Sequence, residues 1–369
     1  RPPLGKYVAD AYSLPYIVYI NIPIGIIATL LTFRYVKSPK YGEKLSANQV
    51  DWFGIITLAG FIGSLQYVLE HGQQDDWFND RAIVSLSVIS FFSLFFFIWR
   101  QLVYKYPIVN LSVLKDLNLR VGILMSFILG FGLYGSTFII PIYTQSILGW
   151  TATDAGLLLI PSSLMTAFMM PIIGQLLQKG VPHKYLVAIG FLMFFFFTFW
   201  MYGIMTPDTG SEFMFWPLII RGLGLGLLFV PITTLSLSTL KGKSIGEGAA
   251  FTGMMRQLGG SFGIAIITTF IARFTQEHRV NLLPNIDITK TQVQDRIHQL
   301  QQGFMAKGFS TNESLSKAHQ VLNMSIMKQS TVLSYMDIFL YLGILFLICV
   351  PIILLIKSNK NKVDMSEAM

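Results

Sequence analysis

Long apolar runs separated by short polar ones dominate the chain. Nine runs have the length that crosses a hydrocarbon core of about 30 Å, which takes roughly 20 residues of helix. They are Ile17–Val36, Trp52–Leu69, Ile83–Val103, Val121–Gln145, Ala155–Leu177, Tyr185–Met205, Phe213–Leu240, Ala249–Phe274 and Val332–Ile356. Each is apolar on every face and longer than the alternating segments of about ten residues that build a membrane barrel. A lone strand would leave its backbone groups unpaired in lipid, whereas a helix satisfies them internally. The pattern predicts an all-α polytopic membrane protein.

The longest polar interval, Thr275–Thr331, has a pattern of its own. Val293, Ile297, Leu300 and Phe304 recur at helical spacing. Ser310 and Glu313 fit a capping box that opens a second helix carrying Leu315, Leu322 and Ile326. A small helical hairpin is expected here, outside the membrane.

Composition agrees with lipid as the main solvent. Of the 369 residues 53% are hydrophobic and 12% charged, against about 25% charged in soluble domains; mean hydropathy is +0.58. The formal charge of +8 does not point to nucleic acid, because the basic residues form no stripe. They occupy short loops between the runs. An odd number of spans puts the two ends on opposite sides. With the C-terminus in the cytoplasm, Arg34, Lys37, Lys40, Lys44, Arg100, Lys105, Lys115, Arg120, Lys179, Lys184, Lys241, Lys243, Lys357, Lys360 and Lys362 are all cytoplasmic. The short external loops Glu70–Asp80, Ser146–Asp154 and Thr206–Glu212 then carry acids and no Lys or Arg. This is the positive-inside pattern, from which long loops such as Thr275–Thr331 are exempt.

Candidate chemistry is sparse. Cys349 lies in an apolar run and reads as a small buried hydrophobe. The five histidines are expected in loops, no HExxH occurs, and no Ser-His-Asp set converges, so neither a metal site nor an enzyme is predicted. Two cations fall inside spans, Arg221 and Arg256. A charge at that depth costs a few kcal/mol, so each snorkels to an interface, joins an ion pair or gate, or faces a cavity and substrate. Glu70, at an external span end beside His71, is the best-placed carboxylate for a proton or cation role. Tyr134, Tyr143 and Gln145 share a span with Pro141 and are candidates to line a cavity for an apolar or cationic aromatic solute.

Small residues mark where helices pack or bend. Gly222/Gly226 and Gly259/Gly263 have small-xxx-small spacing that lets backbones approach; Gly224 and Gly260 sit between them, and Gly130, Gly132 and Gly135 mark a third span. Pro23, Pro141, Pro161, Pro171, Pro217, Pro231 and Pro351 fall within spans, where each removes a backbone bond and favours a kink. Gly25 follows Pro23 closely.

Several stretches, in order, resemble one family. They are Asp51-Trp52-Phe53-Gly54, Asp76-Trp77-Phe78, Pro107-Ile108-Val109-Asn110-Leu111 and Pro141-Ile142-Tyr143-Thr144-Gln145. Ile160-Pro161, Arg221-Gly222-Leu223-Gly224-Leu225-Gly226, Pro231-Ile232-Thr233-Thr234 and Arg256-Gln257-Leu258-Gly259-Gly260-Ser261-Phe262-Gly263 follow. The series resembles the 14-span drug:proton antiporters of the major facilitator superfamily, the EmrB/QacA group. Pro3-Leu4-Gly5 is similar to the tail of that group's antiporter motif, although Arg1 and Lys6 stand where it has glycines. Asn21-Ile22-Pro23-Ile24-Gly25 is similar to the start of its sixth span. The opening Arg1-Pro2-Pro3 reads as the interior of a longer protein, and we expect an N-terminally truncated fragment.

The resemblance implies an assignment. Residues 1–36 would close the N-terminal half, 37–120 would hold loops and two extra central helices, 121–356 would form a complete six-helix transport half, and 357–369 a cytoplasmic tail. Gly174-Gln175-Leu176-Leu177-Gln178-Lys179 would be the counterpart of the family's loop motif, with Gln178 where an Asp is usual. The implied function is proton-coupled efflux of hydrophobic or amphipathic toxic compounds. It would need no cofactor beyond the proton gradient and would work in a bacterial inner membrane, with a periplasmic adaptor and outer-membrane channel as possible partners. The principal coupling acids are expected upstream of Arg1. Two alternatives stay open: a dedicated exporter of one metabolite such as a siderophore or lipid precursor, and a non-transporting receptor or scaffold.

Overall fold

The computed structural model describes residues 21–35, 51–104, 111–286 and 289–355. They form ten α-helices and three short 3-10 turns, with no strand among the described residues. The helices are α1 Asn21–Tyr35, α2 Trp52–His71, α3 Arg81–Val103, α4 Leu117–Ser146, α5 Ala152–Gln178, α6 His183–Ile204, α7 Ser211–Leu237, α8 Lys243–Leu282, α9 Thr291–Met305 and α10 Thr311–Leu355. Eight of them, α2 to α8 and α10, are long and apolar enough to cross a membrane. The described part of the first predicted span, α1, is shorter. The Pro3-Leu4-Gly5 stretch, Pro107–Asn110 and the tail 357–369 lie outside the described residues.

Helix starts follow the capping chemistry of the sequence. Thr151 and Asp154 form a reciprocal capping box at α5, and Asp116 and Asp80 accept backbone N–H bonds at the starts of α4 and α3. Asp51 does two things. Its Oδ1 accepts the Gly54 N–H at 3.0 Å, capping α2, and also the Nε–H of Arg100 on α3 at 3.0 Å. The Arg100 guanidinium lies over the Tyr104 ring, 3.8 Å from its centroid. One carboxylate thus starts α2 and ties it to α3.

Helices α4 to α8 and α10 pack into a six-helix bundle, and α2 joins the α2–α3 pair to it along α8. The bundle core is aromatic. Phe191, Phe194, Phe197, Phe339 and Phe346 are fully buried, with Phe194 stacked on Phe346 at 4.1 Å. The phenylalanine run of α6 is therefore split between faces, since Phe196 is exposed. Phe91, Phe92, Phe95 and Phe96 on α3 are all exposed, as a lipid-facing surface requires. Cys349 is buried, as expected.

The Thr275–Thr331 interval is not a loop bearing a separate hairpin. α8 has 40 residues and α10 has 45, about 60 and 68 Å at 1.5 Å per residue. Both run far beyond a hydrocarbon core of about 30 Å. Between Phe274 and Leu282, and again from Thr311 to Thr331, no Gly or Pro interrupts the helical ladder, so polar residues carry it onward. The predicted α9 forms, burying Ile297. Ser310 and Glu313 make the capping box, but the helix it opens continues as the last span. The histidines are corrected accordingly: all five lie in helices, His71 and His183 at helix ends, His278 and His319 in the extensions of α8 and α10, and His298 within α9.

Candidate functional site

The polar centre of the bundle is built around Arg221. It lies ten residues into α7, about 15 Å along the axis, and only 3% of it is exposed. Snorkelling is excluded by where its bonds go. Nε donates to the Ser136 hydroxyl at 2.8 Å, one terminal nitrogen donates to the Ser162 hydroxyl at 3.0 Å, and the other donates to the Leu133 carbonyl at 3.3 Å and to the Thr137 hydroxyl. Leu133, Ser136 and Thr137 belong to α4 and Ser162 to α5, so one side chain links three helices. All four acceptors are neutral, and no carboxylate pairs with Arg221 among the described residues.

Close approach of backbones makes this reach possible. A Cβ on Gly222 would strike the Ser162 carbonyl, and one on Gly226 would lie 2.6 Å from Met169 Cβ, both on α5. Gly224 faces α6 instead, with the Gly190 carbonyl 3.2 Å from its Cβ position. The Thr166 hydroxyl donates to the Gly222 carbonyl at 3.0 Å. The α4–α8 crossing works the same way in both directions. A Cβ on Gly130 would meet the Arg256 carbonyl, and one on Gly259 would meet the Phe127 carbonyl. Gly260 lies against the Tyr134 ring and Gly263 against Phe131.

Beside Arg221 a cleft of about 180 Å³ opens between α4, α5 and α7. Leu133, Leu159, Leu225 and Phe229 form its apolar walls, and Thr137, Ser163 and Thr166 add hydroxyls. Phe229 connects the cleft to the second intramembrane cation: the half-buried Arg256 guanidinium lies 4.3 Å from the centroid of that ring. Next to it on α8, Gln257 accepts the Tyr134 hydroxyl at 3.0 Å. Two cations, several hydroxyls and an apolar wall therefore share one region of the bundle.

A sequence profile described as the Major Facilitator Superfamily matches residues 2–264, well over half of the chain. The chain belongs to the Major Facilitator Superfamily. Among curated relatives, the fatty acid resistance protein FarB of Neisseria gonorrhoeae is 31% identical over 358 residues, 96% of this chain and 68% of that protein. The multidrug export protein EmrB of Escherichia coli K12 is 28% identical over 333 residues, 88% and 64% of the two chains. The colistin resistance protein EmrB of Acinetobacter baumannii is 23% identical over 360 residues, 98% and 69%. The chain spans about two thirds of the length of these relatives.

The remaining candidate positions of this Major Facilitator protein are dispersed. Glu70, half-buried at the end of α2, accepts from Gln66 at 3.0 Å and from Ser261 of α8 at 3.4 Å. Tyr143 is fully buried in the core, not on a cleft wall; its hydroxyl donates to the Thr206 carbonyl at 2.6 Å and its ring meets Tyr335 edge-on. Gln145 is exposed and bonds the Pro141 carbonyl of its own helix. Pro23 and Gly25 are on the exposed α1, and nothing described lies within 4 Å of a Cβ on Gly25. Pro141, Pro161 and Pro231 are inside α4, α5 and α7, which continue through them. The sequence reading passed over Ser136, Thr137, Ser162 and Phe229. Its one signal for the hydroxyls is that they are polar side chains inside apolar runs. His278 Nε2 and Asp337 Oδ2 meet 2.6 Å apart between α8 and α10; this pair is not legible in the sequence, where His278 falls in the long polar interval and Asp337 in the last apolar run.

Proposed function

We propose that this protein exports hydrophobic or amphipathic toxic compounds in exchange for protons, from the inner membrane of a bacterium, with its C-terminus in the cytoplasm. The observation that carries the reading is the cationic cleft inside a six-helix membrane bundle. The chain is similar over most of its length to proteins named for multidrug export and for fatty acid resistance. Helices α4 to α8 and α10 act as one transport half, α2 and α3 as a linker pair, and alternating access comes from rocking this half about a midplane site. The proton gradient is the energy source. The cytoplasmic placement of the C-terminus rests on the loop charge pattern.

The extensions of α8 and α10, with α9 between them, are assigned as an external platform for a periplasmic adaptor. The assignment rests on their length, about twice a hydrocarbon core, and on the polar surface of α9. Deleting 285–329 should leave membrane insertion intact and abolish adaptor crosslinking; retained crosslinking would remove the assignment.

The transport reading is tested in inside-out vesicles carrying the protein expressed from its natural reading frame. Uptake of an amphipathic dye should require an imposed proton gradient, collapse with a protonophore, and be absent from vesicles lacking the protein. Equal uptake in both vesicle types would refute it.

A further inference from the structure

We infer that His278 and Asp337 form a pH-operated clasp between α8 and α10, closed while the imidazole carries its extra proton and loosened as it loses it. The clasp joins the first turn beyond the apolar run of α8 to the early part of the last apolar run on α10. Its place on the external side rests on the orientation proposed above; its chemistry does not.

The pair's geometry carries the argument. Nε2 of His278 lies 2.6 Å from Oδ2 of Asp337. A carboxylate oxygen only accepts, so Nε2 holds the hydrogen. Two forms of the ring satisfy that: the cation, and the neutral tautomer with its hydrogen on Nε2. The cation adds the attraction of opposite charges to the hydrogen bond. Losing the extra proton removes that attraction. It also lets the ring adopt its other tautomer, in which Nε2 and the carboxylate are two acceptors face to face. Imidazole is the side chain whose ordinary titration falls between pH 5 and 8. The side chains of His278 and Asp337 are 24% and 32% exposed, open enough for solvent protons to reach the ring and covered enough to limit screening by salt.

The surroundings hold the pair in register and leave its charge to the two partners. The Thr275 and Ser334 hydroxyls are 3.1 Å apart and buried, and the rings of Phe274 and Tyr341 meet with centroids 5.7 Å apart. The other charged groups of the packed helices are engaged elsewhere or face solvent. On α8, Arg273 and Glu277 are exposed, and Arg279 donates to Asn323 at 3.2 Å. On α10, Lys328 donates to the Pro207 carbonyl, the Tyr335 hydroxyl meets Ser146, and His319 is exposed. On α2, Glu70 accepts from Gln66 and Ser261, and His71 meets the Tyr67 carbonyl. The charge of α4, Arg120, and His183 and Lys184 of α6 are in the first turns of those helices. On α7, Glu212 is exposed in the first turn and Arg221 bonds to α4 and α5. Asp295, Arg296 and His298 of α9 are exposed. Among the described residues His278 is the histidine that meets a carboxylate. With the clasp loosened, hydroxyl and ring contacts alone join the two helices at this level, and the extensions open more often. They are firmest in acid, which in the proposed exchange is the side from which protons enter.

The test reads amide hydrogen exchange of residues 276–282 at about pH 5.5 and about pH 8, which bracket the ordinary imidazole range. The protein is expressed from its natural reading frame and held in nanodiscs, and rates are corrected for the intrinsic pH dependence of exchange. Exchange should rise about threefold from the lower pH to the higher, the scale of a partly exposed ion pair. His278→Gln, which keeps a donor but no titrating charge, and Asp337→Asn should each remove the pH dependence. His278→Lys, cationic at both pH values, should hold exchange near the low-pH rate throughout, so the inference stays testable if a neutral variant misfolds. A hydrogen bond with a structural role alone would answer to the substitutions and not to pH. A wild-type protein with no pH response would overturn the inference, as would a response that survives in His278→Gln, His278→Lys or Asp337→Asn. Right-side-out and inside-out vesicles, with pH stepped only in the bathing medium, test the placement separately. The right-side-out vesicles should respond and the inside-out ones should not; the reverse would leave the clasp standing and remove the proposed orientation.

Discussion

Arg221 carries a charge to the middle of α7, and among the described residues three hydroxyls and the Leu133 carbonyl receive its hydrogen bonds. Removing one should therefore be felt. Ser136 is fully buried, and Ser136→Ala takes away the Nε acceptor, a loss of about 1.5–3 kcal/mol for a bond to a charged group. Ser163→Ala, at an exposed position with no bond to Arg221, should stay within about 0.5 kcal/mol. Thermal unfolding in detergent separates the two. Glycines on α8 give a second contrast. Gly259→Ala forces a methyl against the Phe127 carbonyl backbone, which overpacking of about 1–3 kcal/mol describes. Gly253 has nothing within 4 Å of its Cβ position, so Gly253→Ala gains the helix propensity of alanine, up to about 1 kcal/mol. The two substitutions should move the unfolding temperature in opposite directions.

The pairing of α8 with α10 includes polar contacts as well as apolar ones. Thr275 and Ser334 hydroxyls are 3.1 Å apart, and His278, one turn further along α8, meets Asp337. Cysteines at Thr275 and Ser334, in a Cys349→Ala background, should oxidise to a disulfide, because side chains at this separation are compatible with its geometry. Cleavage engineered between α8 and α9 would then leave the two pieces joined until a reductant is added; separation without reductant would contradict the helix register. The start of α10 has its own pH dependence. The Ser310 hydroxyl and amide bonds hold the Glu313 carboxyl below the usual carboxylate range. The stabilisation they bring is present above the unfolded-state value and is lost as pH falls through the lower folded-state value. Amides of residues 311–314 should exchange faster on acidification, and Ser310→Ala should remove that pH dependence.

The whole molecule is an alternating stack of helices whose polarity across the membrane is a separate claim from their packing. Cysteine scanning addresses it directly. Asn79, in the turn between α2 and α3, and Lys179, at the end of α5, are both exposed. In intact cells a membrane-impermeant maleimide should label Asn79→Cys and spare Lys179→Cys; inside-out vesicles should reverse the result. The positive-inside distribution of Lys and Arg predicts this sense.

Span positions and the all-α class were legible in the sequence, because lipid leaves a helix as the one way to satisfy each backbone group locally; so was the capping box at Ser310, from its spacing to Glu313. The ordered motifs pointed to the family for a different reason: residues such as Asp51, Gly54, Gly222 and Gly259 stand where helices touch, and their spacing records those contacts. Partners across helices were not legible. That Arg221 turns to Ser136, Thr137 and Ser162, that Arg256 meets Phe229, that Tyr143 is core while Thr137 opens the cleft, and that α8 and α10 run on to join His278 with Asp337 all depend on which faces meet. Those faces lie between 59 and 85 residues apart in the chain for Arg221 with Ser162 and Ser136 and for His278 with Asp337. Local periodicity carries no term for such distances; only the packed bundle supplies it.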